Sequence, residues 1–301
     1  MAASYTIGQA YQHCLSLTNS HYENFPVASI LLPKKMRKPI SAIYAFARMA
    51  DDFADEGTLP ISERYDLLSS AKNKLLRAAD NNPDNDPVYI ALADTLVQYP
   101  AILEQLLKLL IAFNQDVEKN RYLSFGEVMD YCRHSANPVG HMLLILFKAD
   151  SEKNIAYSDA ICSALQIINF LQDIQPDYNQ RNRIYMPFDG MKQHQLSEQD
   201  FNINAHSSNL AAFMDFQVQR TLKLLQAGAP LGIILKGRIG LELRMITLGG
   251  WTILKKVHDN NGDLSKRPKL NKKDWIWIIL HALSSRFIIY LKKLSPTSVT
   301  P

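Results

Sequence analysis

Apolar residues recur along this chain at the three- and four-residue spacing of helices, whereas the alternation typical of strands is weak. No run of alternating β-branched residues occurs, and no Asn-Gly or Asp-Gly turn joins two such runs. Clusters of proline, glycine and asparagine separate the periodic segments, and no long linker divides them. The pattern predicts an all-α chain folded as a single domain over residues 1–301 around a central cleft. The predicted helices are 4–19, 23–31, 37–55, 61–80, 86–97, 99–117, 124–135, 138–149, 157–175, 196–228, 230–257 and 273–293.

A first acidic segment reads S-A-I-Y-A-F-A-R-M-A-D-D-F-A-D and is apolar nearly all round, which is typical of a buried helix. Four of its polar side chains share one helical face, at spacings of four, three and four residues: Tyr44, Arg48, Asp51 and Asp55. Buried carboxylates are costly unless they are paired or bound to a metal ion. Arg48 could pair with Asp51 or Asp52 in a purely structural role. One cation cannot neutralise three carboxylates, so the pattern favours a metal-linked anion site.

A second acidic segment reads Q-I-I-N-F-L-Q-D-I-Q-P-D. Four side chains with oxygen donors recur there at spacings of three, four and four residues: Gln166, Asn169, Asp173 and Asp177. Pro176 disfavours helix at the residue before it, so the last turn is expected to kink or end, which makes Asp177 the least secure ligand. A basic and aromatic loop, R-N-R-I-Y-M-P, follows directly and is expected at the mouth of the cleft.

Both segments hold two carboxylates four residues apart, which a helix places about 6 Å apart along its axis on one face. Two such faces turned toward each other would form an oxygen-lined cleft. Oxygen donors are the ligands that hard divalent cations such as Mg²⁺ prefer. The sequence therefore predicts a divalent-metal site built from both segments.

Composition adds a charge asymmetry to this picture. The net charge is only +4, but from Lys236 to the end there are 13 Lys or Arg against 4 Asp or Glu. This basic C-terminal region is read either as a solvated face or as a surface with affinity for anionic membrane or for diphosphate. No nucleic-acid-binding motif accompanies the charge, so a nucleic-acid partner is not expected.

The remaining features concern location. Cys14, Cys132 and Cys162 are odd in number and widely spaced, which predicts reduced thiols in a cytoplasmic protein. The N-terminus lacks the pattern of a signal peptide. The stretch from Trp275 to Leu291 is too short and too polar for a membrane span, so it is read as a final core helix. An interfacial amphipathic helix, with peripheral contact at the inner membrane, is the alternative.

These motifs resemble those of the squalene/phytoene synthase family of head-to-head prenyl synthases. Y-A-F-A-R-M-A-D-D-F-A-D and Q-I-I-N-F-L-Q-D-I-Q-P-D, followed by R-I-Y-M-P, are similar to its two aspartate-rich motifs. Y-C-R-H-S-A-N-P-V-G and H-Y-E-N-F-P-V-A-S-I-L-L-P also fit, so the resemblance covers about residues 20–256 and leaves a basic helical region at 257–301. Within the family, the sequences of these motifs are most similar to those of the bacterial HpnC-type hydroxysqualene synthases. Gln172 stands where the family usually has Arg before the second-motif Asp, and Tyr22 stands where many members have a small hydroxyl residue. These two departures leave fewer phosphate-binding groups, which suggests a site for one diphosphate rather than two.

The resemblance implies an isoprenoid-synthase-type helical bundle and a site with three groups of residues. The implied ligands of Mg²⁺ are Asp51, Asp55, Asp173 and Asp177. The implied substrate-binding residues are Tyr22, Ser135, Gln166, Asn169, Arg183, Tyr185 and Arg267. The implied catalytic residues, near the reacting carbons, the diphosphate or an attacking water, are Phe25, Tyr44, Arg48, Tyr131 and His134. A structural role for His134 stays open beside water positioning.

The implied reaction is that of a hydroxysqualene synthase in squalene and hopanoid biosynthesis. Presqualene diphosphate would ionise with magnesium, lose diphosphate and capture water, without NADPH. One alternative is a condensing enzyme that joins two farnesyl diphosphates to presqualene diphosphate or squalene. A non-enzyme alternative is a prenyl-diphosphate-binding subunit of a membrane-associated complex.

Overall fold

A computed structural model of the protein describes residues 5–20, 33–55, 59–202 and 207–284, together with Phe287 and Leu291. Regular secondary structure in these residues is helical, and extended backbone pairs only at an isolated parallel bridge between Arg121 and Ile184. The prediction of an all-α fold is therefore confirmed. The predicted helix 23–31 lies outside the described residues.

The helices, numbered in chain order, run as follows: α1 Ile7–Ser20, α2 Lys34–Asp55, α3 Ile61–Ala79, α4 Pro87–Gln98, α5 Ile102–Glu118, α6 Phe125–Ser135, α7 Asn137–Leu146, α8 Glu152–Gln172, α9 Ile174–Arg181, α10 Phe188–Gln193, α11 Ser208–Gly228, α12 Leu231–Ile234, α13 Gly237–Asp259 and α14 Lys272–Ala282. A short 3-10 helix, Glu198–Phe201, lies between α10 and α11. Side-chain caps begin several helices, since Asp86 accepts from the Val88 amide at α4 and Ser124 from the Glu127 amide at α6.

The chain groups into two compact units, one of Met1–Glu118 with Pro138–Asp150 and one of Lys119–Asn137 with Ser151–Pro301. In the first unit, α2 packs against α1, α3, α4 and α5. Phe46 of α2 is fully buried and meets Tyr89 of α4 edge-on, with ring centroids 6.1 Å apart. The prediction of one domain over residues 1–301 stays a prediction.

In the second unit, α8 and α13 pack against α11, and α6 packs against α8. α14 packs against α13. The buried side of α8 consists of residues such as Ile161, Ile168 and Leu171. Within the part of the chain that is described, no helix has the length and apolar character needed to cross a membrane.

The predicted helix 157–175 ends earlier than expected, at Gln172, and the kink or end expected near Pro176 is confirmed by a second helix that begins at Ile174. α8 ends at Gln172, Asp173 has φ −110° and ψ 18°, and α9 begins at Ile174. Pro176 explains the break, because it cannot donate to the Gln172 carbonyl and its ring would clash with it. Proline is tolerated in the first turn of α9, where amide groups have no partner within the helix.

Two other predicted helices were wrong. Within the predicted helix 196–228 the structure has a 3-10 helix at Glu198–Phe201, and α11 begins only at Ser208. The predicted helix 230–257 is divided into α12 and α13, because Leu235 is extended and Gly237 adopts a φ of +71°. That left-handed conformation suits glycine and interrupts a regular helix.

Gly228 lets α11 lie directly against α8. A Cβ atom at this position would stand 2.5 Å from the Tyr157 carbonyl oxygen and 2.5 Å from Ile161 Cγ1. We therefore expect Gly228→Ala to lower the free energy of unfolding by about 1–3 kcal/mol, as measured by urea denaturation. Gly8→Ala is the matched control, because a Cβ atom there meets nothing within 4 Å and alanine favours a helix. Equal stability of the two variants would contradict the close packing.

Candidate active site

The first acidic segment forms the C-terminal half of α2. Its described residues from Pro39 to Asp55 are buried or half-buried, which confirms the prediction of a helix buried nearly all round. Arg48 Nη1 lies 3.7 Å from Asp51 Oδ2, and Arg48 Nη2 is in direct contact with Asp52 Oδ1. The arginine pairing considered as a structural role is therefore present, and it engages two of the three carboxylates on this face.

Tyr44 lies one turn before Arg48 on the same half-buried face. Burial raises the pKa of the Tyr44 hydroxyl above its usual value, the Arg48 guanidinium opposes this rise, and Asp52 and Asp51 reinforce it. Tyr44 is therefore a protonated hydroxyl at neutral pH and can donate a hydrogen bond to an anion.

The second acidic segment is centred on Asp173, at the break between α8 and α9. Arg267 holds its carboxylate with two parallel hydrogen bonds, from Nε to Oδ1 at 2.5 Å and from Nη2 to Oδ2 at 3.0 Å. The neighbouring Gln172 donates from Nε2 to the Pro268 carbonyl oxygen at 2.7 Å. Two consecutive residues of the motif thus hold two consecutive residues of the segment after α13. Bidentate pairs of this kind are among the stronger charge-assisted hydrogen bonds.

Asp177 lies in the first turn of α9 and is buried, which places it in a helix despite Pro176. Its carboxylate is 3.6 Å from Arg181 Nη1, and its backbone carbonyl accepts from the Arg183 amide at 2.9 Å. On α8, Gln166 is half-buried and Asn169 is exposed.

The basic and aromatic loop is buried from Arg183 to Pro187, whereas Arg181 and Asn182 are exposed. Its backbone explains this, because the Ile184 amide donates to the Asn120 carbonyl at 2.9 Å and the Phe188 amide donates to the Tyr122 carbonyl at 2.9 Å. Arg183 is only 6% exposed and donates from Nη1 to Tyr185 Oη at 2.9 Å.

Four aromatic rings form a cluster beside this loop. Tyr185 stacks on Phe170 with ring centroids 3.7 Å apart and an interplanar angle of 7°, and on Tyr122 at 5.5 Å. Tyr131 contacts all three rings at centroid distances between 5.7 and 6.0 Å. The structure therefore brings the predicted residues Tyr131 and Tyr185 together. Aromatic faces of this kind attract cations.

His134 and Ser135 lie in the last turn of α6. His134 Nδ1 is 2.9 Å from the Asp130 carbonyl oxygen. Because a carbonyl only accepts, Nδ1 carries the proton in this contact and Nε2 remains an acceptor in the neutral ring. Ser135 Oγ is buried and has no hydrogen-bond partner among the described residues. Asn137 begins α7, as the sequence predicted, and its Oδ1 accepts from Ser163 Oγ at 2.9 Å.

The donor chemistry of the two segments fits magnesium, since carboxylate and amide oxygens are the ligands offered. A carboxylate of each segment pairs with an arginine, Asp52 with Arg48 and Asp173 with Arg267. These arginines supply the positive charge that a metal ion would supply. Among the described residues, no group of three or more His, Cys, Asp or Glu side chains has a metal-binding arrangement. The metal assignment stays a prediction. Tyr22 and Phe25 lie outside the described residues.

Two contacts near these segments were not predicted from the sequence. The i, i+4 spacing of Asp177 and Arg181 could have signalled their pairing. The stack of Phe170 on Tyr185 had no such signal, because 15 positions and a helix end separate the two residues.

The three cysteines are free thiols, as predicted. Burial raises the pKa of Cys14 to about 12 and that of Cys132 to about 12. These two side chains are therefore protonated at neutral pH and belong to the packing of their units.

Comparison with curated proteins identifies relatives along most of the chain. The hydroxysqualene synthase of Rhodopseudomonas palustris is 34% identical over 267 residues, covering 88% of this chain and 89% of the relative. That of Zymomonas mobilis is 33% identical over 267 residues, covering 88% of each. The 15-cis-phytoene synthase of Synechococcus elongatus is 29% identical over 227 residues, covering 71% of this chain and 73% of the relative.

Solved structures give a matching result. Squalene synthase HpnC from Alicyclobacillus acidocaldarius aligns with a TM-score of 0.79 at 30% identity, covering 85% of this chain and 95% of that one. A dehydrosqualene synthase in complex with ligand aligns with a TM-score of 0.80 at 21% identity, covering 96% and 98%, which shows a common fold alone. The predicted isoprenoid-synthase-type fold is confirmed.

The profile described as squalene/phytoene synthase matches residues 18–274, which is most of the chain. The predicted resemblance is thus confirmed beyond its expected end at residue 256. The chain belongs to the squalene/phytoene synthase family, whose members are enzymes of isoprenoid biosynthesis that process prenyl diphosphates.

Proposed function

We propose that this chain is a magnesium-dependent hydroxysqualene synthase acting on presqualene diphosphate. The observation that carries the proposal is the similarity to two hydroxysqualene synthases at 33–34% identity over 88% of the chain. Each acidic segment combines carboxylates with an arginine. The carboxylates suit the Mg²⁺ ion that would accompany a diphosphate, and the arginines suit the diphosphate itself. The hydroxysqualene product would feed squalene and hopanoid biosynthesis. An apolar product of this size has to reach a membrane, so peripheral membrane contact is part of the proposal.

The reaction begins when the bond between the substrate carbon and the diphosphate oxygen breaks and its electron pair leaves on the diphosphate. Magnesium, held by Asp51, Asp55, Asp173 and Asp177, would supply charge that offsets the negative charge developing on the leaving group. Tyr44 donates a hydrogen bond to the same anion, because burial keeps its hydroxyl protonated.

Arg48 and Arg267 change partners in this scheme. In the protein alone they neutralise Asp52 and Asp173. If a bound metal ion neutralised the carboxylates, each guanidinium would be able to turn its donors to the diphosphate, for which a planar fork with several N–H groups is well suited. Asp52 and Asp173 would thus have a counter-charge at both stages.

The remaining carbocation has to be shielded until its ring opens and water attacks. The buried cluster of Tyr131, Tyr185 and Phe170 would shield the cation from bulk water and attract it through its aromatic rings. Water then forms the new carbon–oxygen bond and loses a proton. His134 Nε2 is the acceptor for that proton, and Ser135 Oγ positions the water.

A condensing enzyme acting on two farnesyl diphosphates is the second candidate. The similarity to phytoene synthases, 29% identical over 71% of the chain, favours it because they belong to the same family. A prenyl-diphosphate-binding subunit without catalysis is the weakest candidate, because both acidic segments are intact.

Substrate feeding separates these candidates. Purified protein is incubated with Mg²⁺ and either presqualene diphosphate or farnesyl diphosphate, without NADPH, and the products are identified by mass spectrometry. We expect hydroxysqualene from presqualene diphosphate and no C30 product from farnesyl diphosphate. Turnover of farnesyl diphosphate would support the condensing enzyme, and no turnover of either would support the binding subunit.

The metal ligands can be tested by removing one charge in each segment. Asp51→Asn and Asp173→Asn are each expected to slow diphosphate release at least about a hundredfold, because the leaving group loses its charge stabilisation. Asp66→Asn on the exposed side of α3 is the control and should leave the rate unchanged. Circular dichroism establishes that the variants are folded. Unchanged release by either test variant would remove that residue from the metal site.

The exchange of partners by Arg267 makes a separate prediction. Arg267→Gln should bind Mg²⁺ several-fold more tightly without substrate, as measured by titration calorimetry, because no guanidinium competes for Asp173. The KM for the diphosphate substrate should rise about tenfold, because charge-assisted hydrogen bonds are lost. Arg133→Gln, which breaks the exposed pair with Asp130, is the matched control. Equal Mg²⁺ affinity of R267Q and the parent would refute the exchange.

A further inference from the structure

α14 carries a continuous apolar surface that the rest of the described chain leaves exposed. It consists of five side chains, here called the α14 apolar face, with exposed fractions between 44% and 63%: Trp275, Ile276, Ile279, Leu280 and Leu283. Single exposed apolar residues are normal on soluble proteins, but a contiguous group marks an interaction site. At 100° per residue, the five positions cover an arc of about 140° on one side of the helix.

The opposite side of α14 is anchored and therefore fixes which way the apolar face points. Ile278 and Ala282 are fully buried, and Trp277 stacks on Trp251 of α13 with ring centroids 5.2 Å apart. Two apolar faces on one short helix explain why the sequence suggested a core helix. Only one of the two is used in packing on α13.

Basic side chains border the α14 apolar face at its N-terminal end. Lys269, Lys272 and Lys273 are exposed, and Lys266 is exposed but pairs with Asp263 at 3.1 Å. The acidic residue of the same turn, Asp274, is paired with Lys256 of α13 at 2.9 Å. The border is therefore positively charged beside an apolar surface.

We propose that the α14 apolar face docks this protein peripherally on a lipid bilayer with anionic headgroups. Apolar side chains on one helical face enter the boundary between headgroups and acyl chains, and lysines at its border attract anionic headgroups. A second copy of the chain fits less well, because its identical surface would offer apolar side chains and lysines but no anionic groups for the lysine border. The surface uses no residue of the acidic segments, so its test is independent of the proposed reaction.

Vesicle co-sedimentation of the full chain tests the apolar part of the surface. The parent is expected to bind vesicles of phosphatidylglycerol and phosphatidylcholine. The triple variant Ile276→Gln, Leu280→Gln, Leu283→Gln should bind on the order of tenfold or more weakly, because less apolar surface enters the bilayer. The matched control substitutes three equally exposed apolar residues elsewhere with Gln: Val97, Ile111 and Leu123. Binding by the control should equal that of the parent.

The charged border is tested with the same vesicles. Changing Lys269, Lys272 and Lys273 together to Gln should weaken binding on the order of tenfold or more at low ionic strength, and added salt should reduce the difference. The control changes three other exposed lysines to Gln: Lys72, Lys192 and Lys223. Pure phosphatidylcholine vesicles should bind the parent much more weakly than the anionic vesicles.

Tryptophan fluorescence reports whether the face itself enters the bilayer. Anionic vesicles should shift the emission of the parent to shorter wavelength, and Trp275→Phe should abolish the shift, since Trp251 is already buried. Equal vesicle binding by the parent and the α14 triple variant would overturn the proposal. The proposal would also be overturned if the parent did not bind vesicles and was a dimer, while the triple variant was a monomer. That result would assign the face to a second copy of the chain. If Trp275 already emitted at short wavelength in buffer and vesicles did not change that wavelength, the chain's own C-terminus would cover the face. This result would also overturn the proposal.

Discussion

Carboxylates on apolar helices need a counter-charge, and both acidic segments meet this requirement with arginine. On α2 the counter-charge comes from the same helix, one turn away, because Arg48 reaches Asp52 at i+4. At the end of α8 it comes from a segment 94 residues away, because Arg267 reaches Asp173. Without these partners, half-buried carboxylates would repel one another and destabilise the helices that carry them.

The same pairs neutralise carboxylates of both acidic segments in the protein without substrate. Arginine remains charged under all ordinary conditions, so the pairs do not depend on pH near neutrality. Their strength is limited because the partners are partly exposed, with 48% of the Arg267 side chain and 28% of the Asp173 side chain accessible. A partly exposed pair of this kind can exchange partners without a large penalty, whereas a fully buried pair would resist exchange.

Much of this fold could be predicted from periodicity, and the failures have local causes. The α2 helix and its polar face follow from residue spacing alone, since all contacts of Arg48 described here lie within one turn. The break after α8 was expected from Pro176, but its position was placed too late because apolar periodicity continues through Ile174. The burial of Tyr185 follows from backbone pairing with residues 120–122, which no local pattern in either segment signals.

Local sequence is also insufficient for α14, because hydropathy alone does not show which side of the helix packs against the rest of the protein. Its apolar residues predicted a core helix, and this is correct for Ile278 and Ala282, which are fully buried. It is wrong for Ile276 and Leu280, which are more than 60% exposed. A short helix that is apolar on two sides can bury only the side that its anchor selects, and here that anchor is the contact of Trp277 with Trp251.

Gln172 shows how a structure can change the meaning of a substitution. An uncharged residue before Asp173 suggested fewer phosphate-binding groups and hence one diphosphate rather than two. In the structure, Gln172 binds the Pro268 carbonyl and so holds the neighbouring Arg267 against Asp173. The positive charge beside this carboxylate is thus supplied from another segment. The substitution alone is therefore no argument for a single diphosphate, and the substrate assignment rests on the similarity to hydroxysqualene synthases over 88% of the chain.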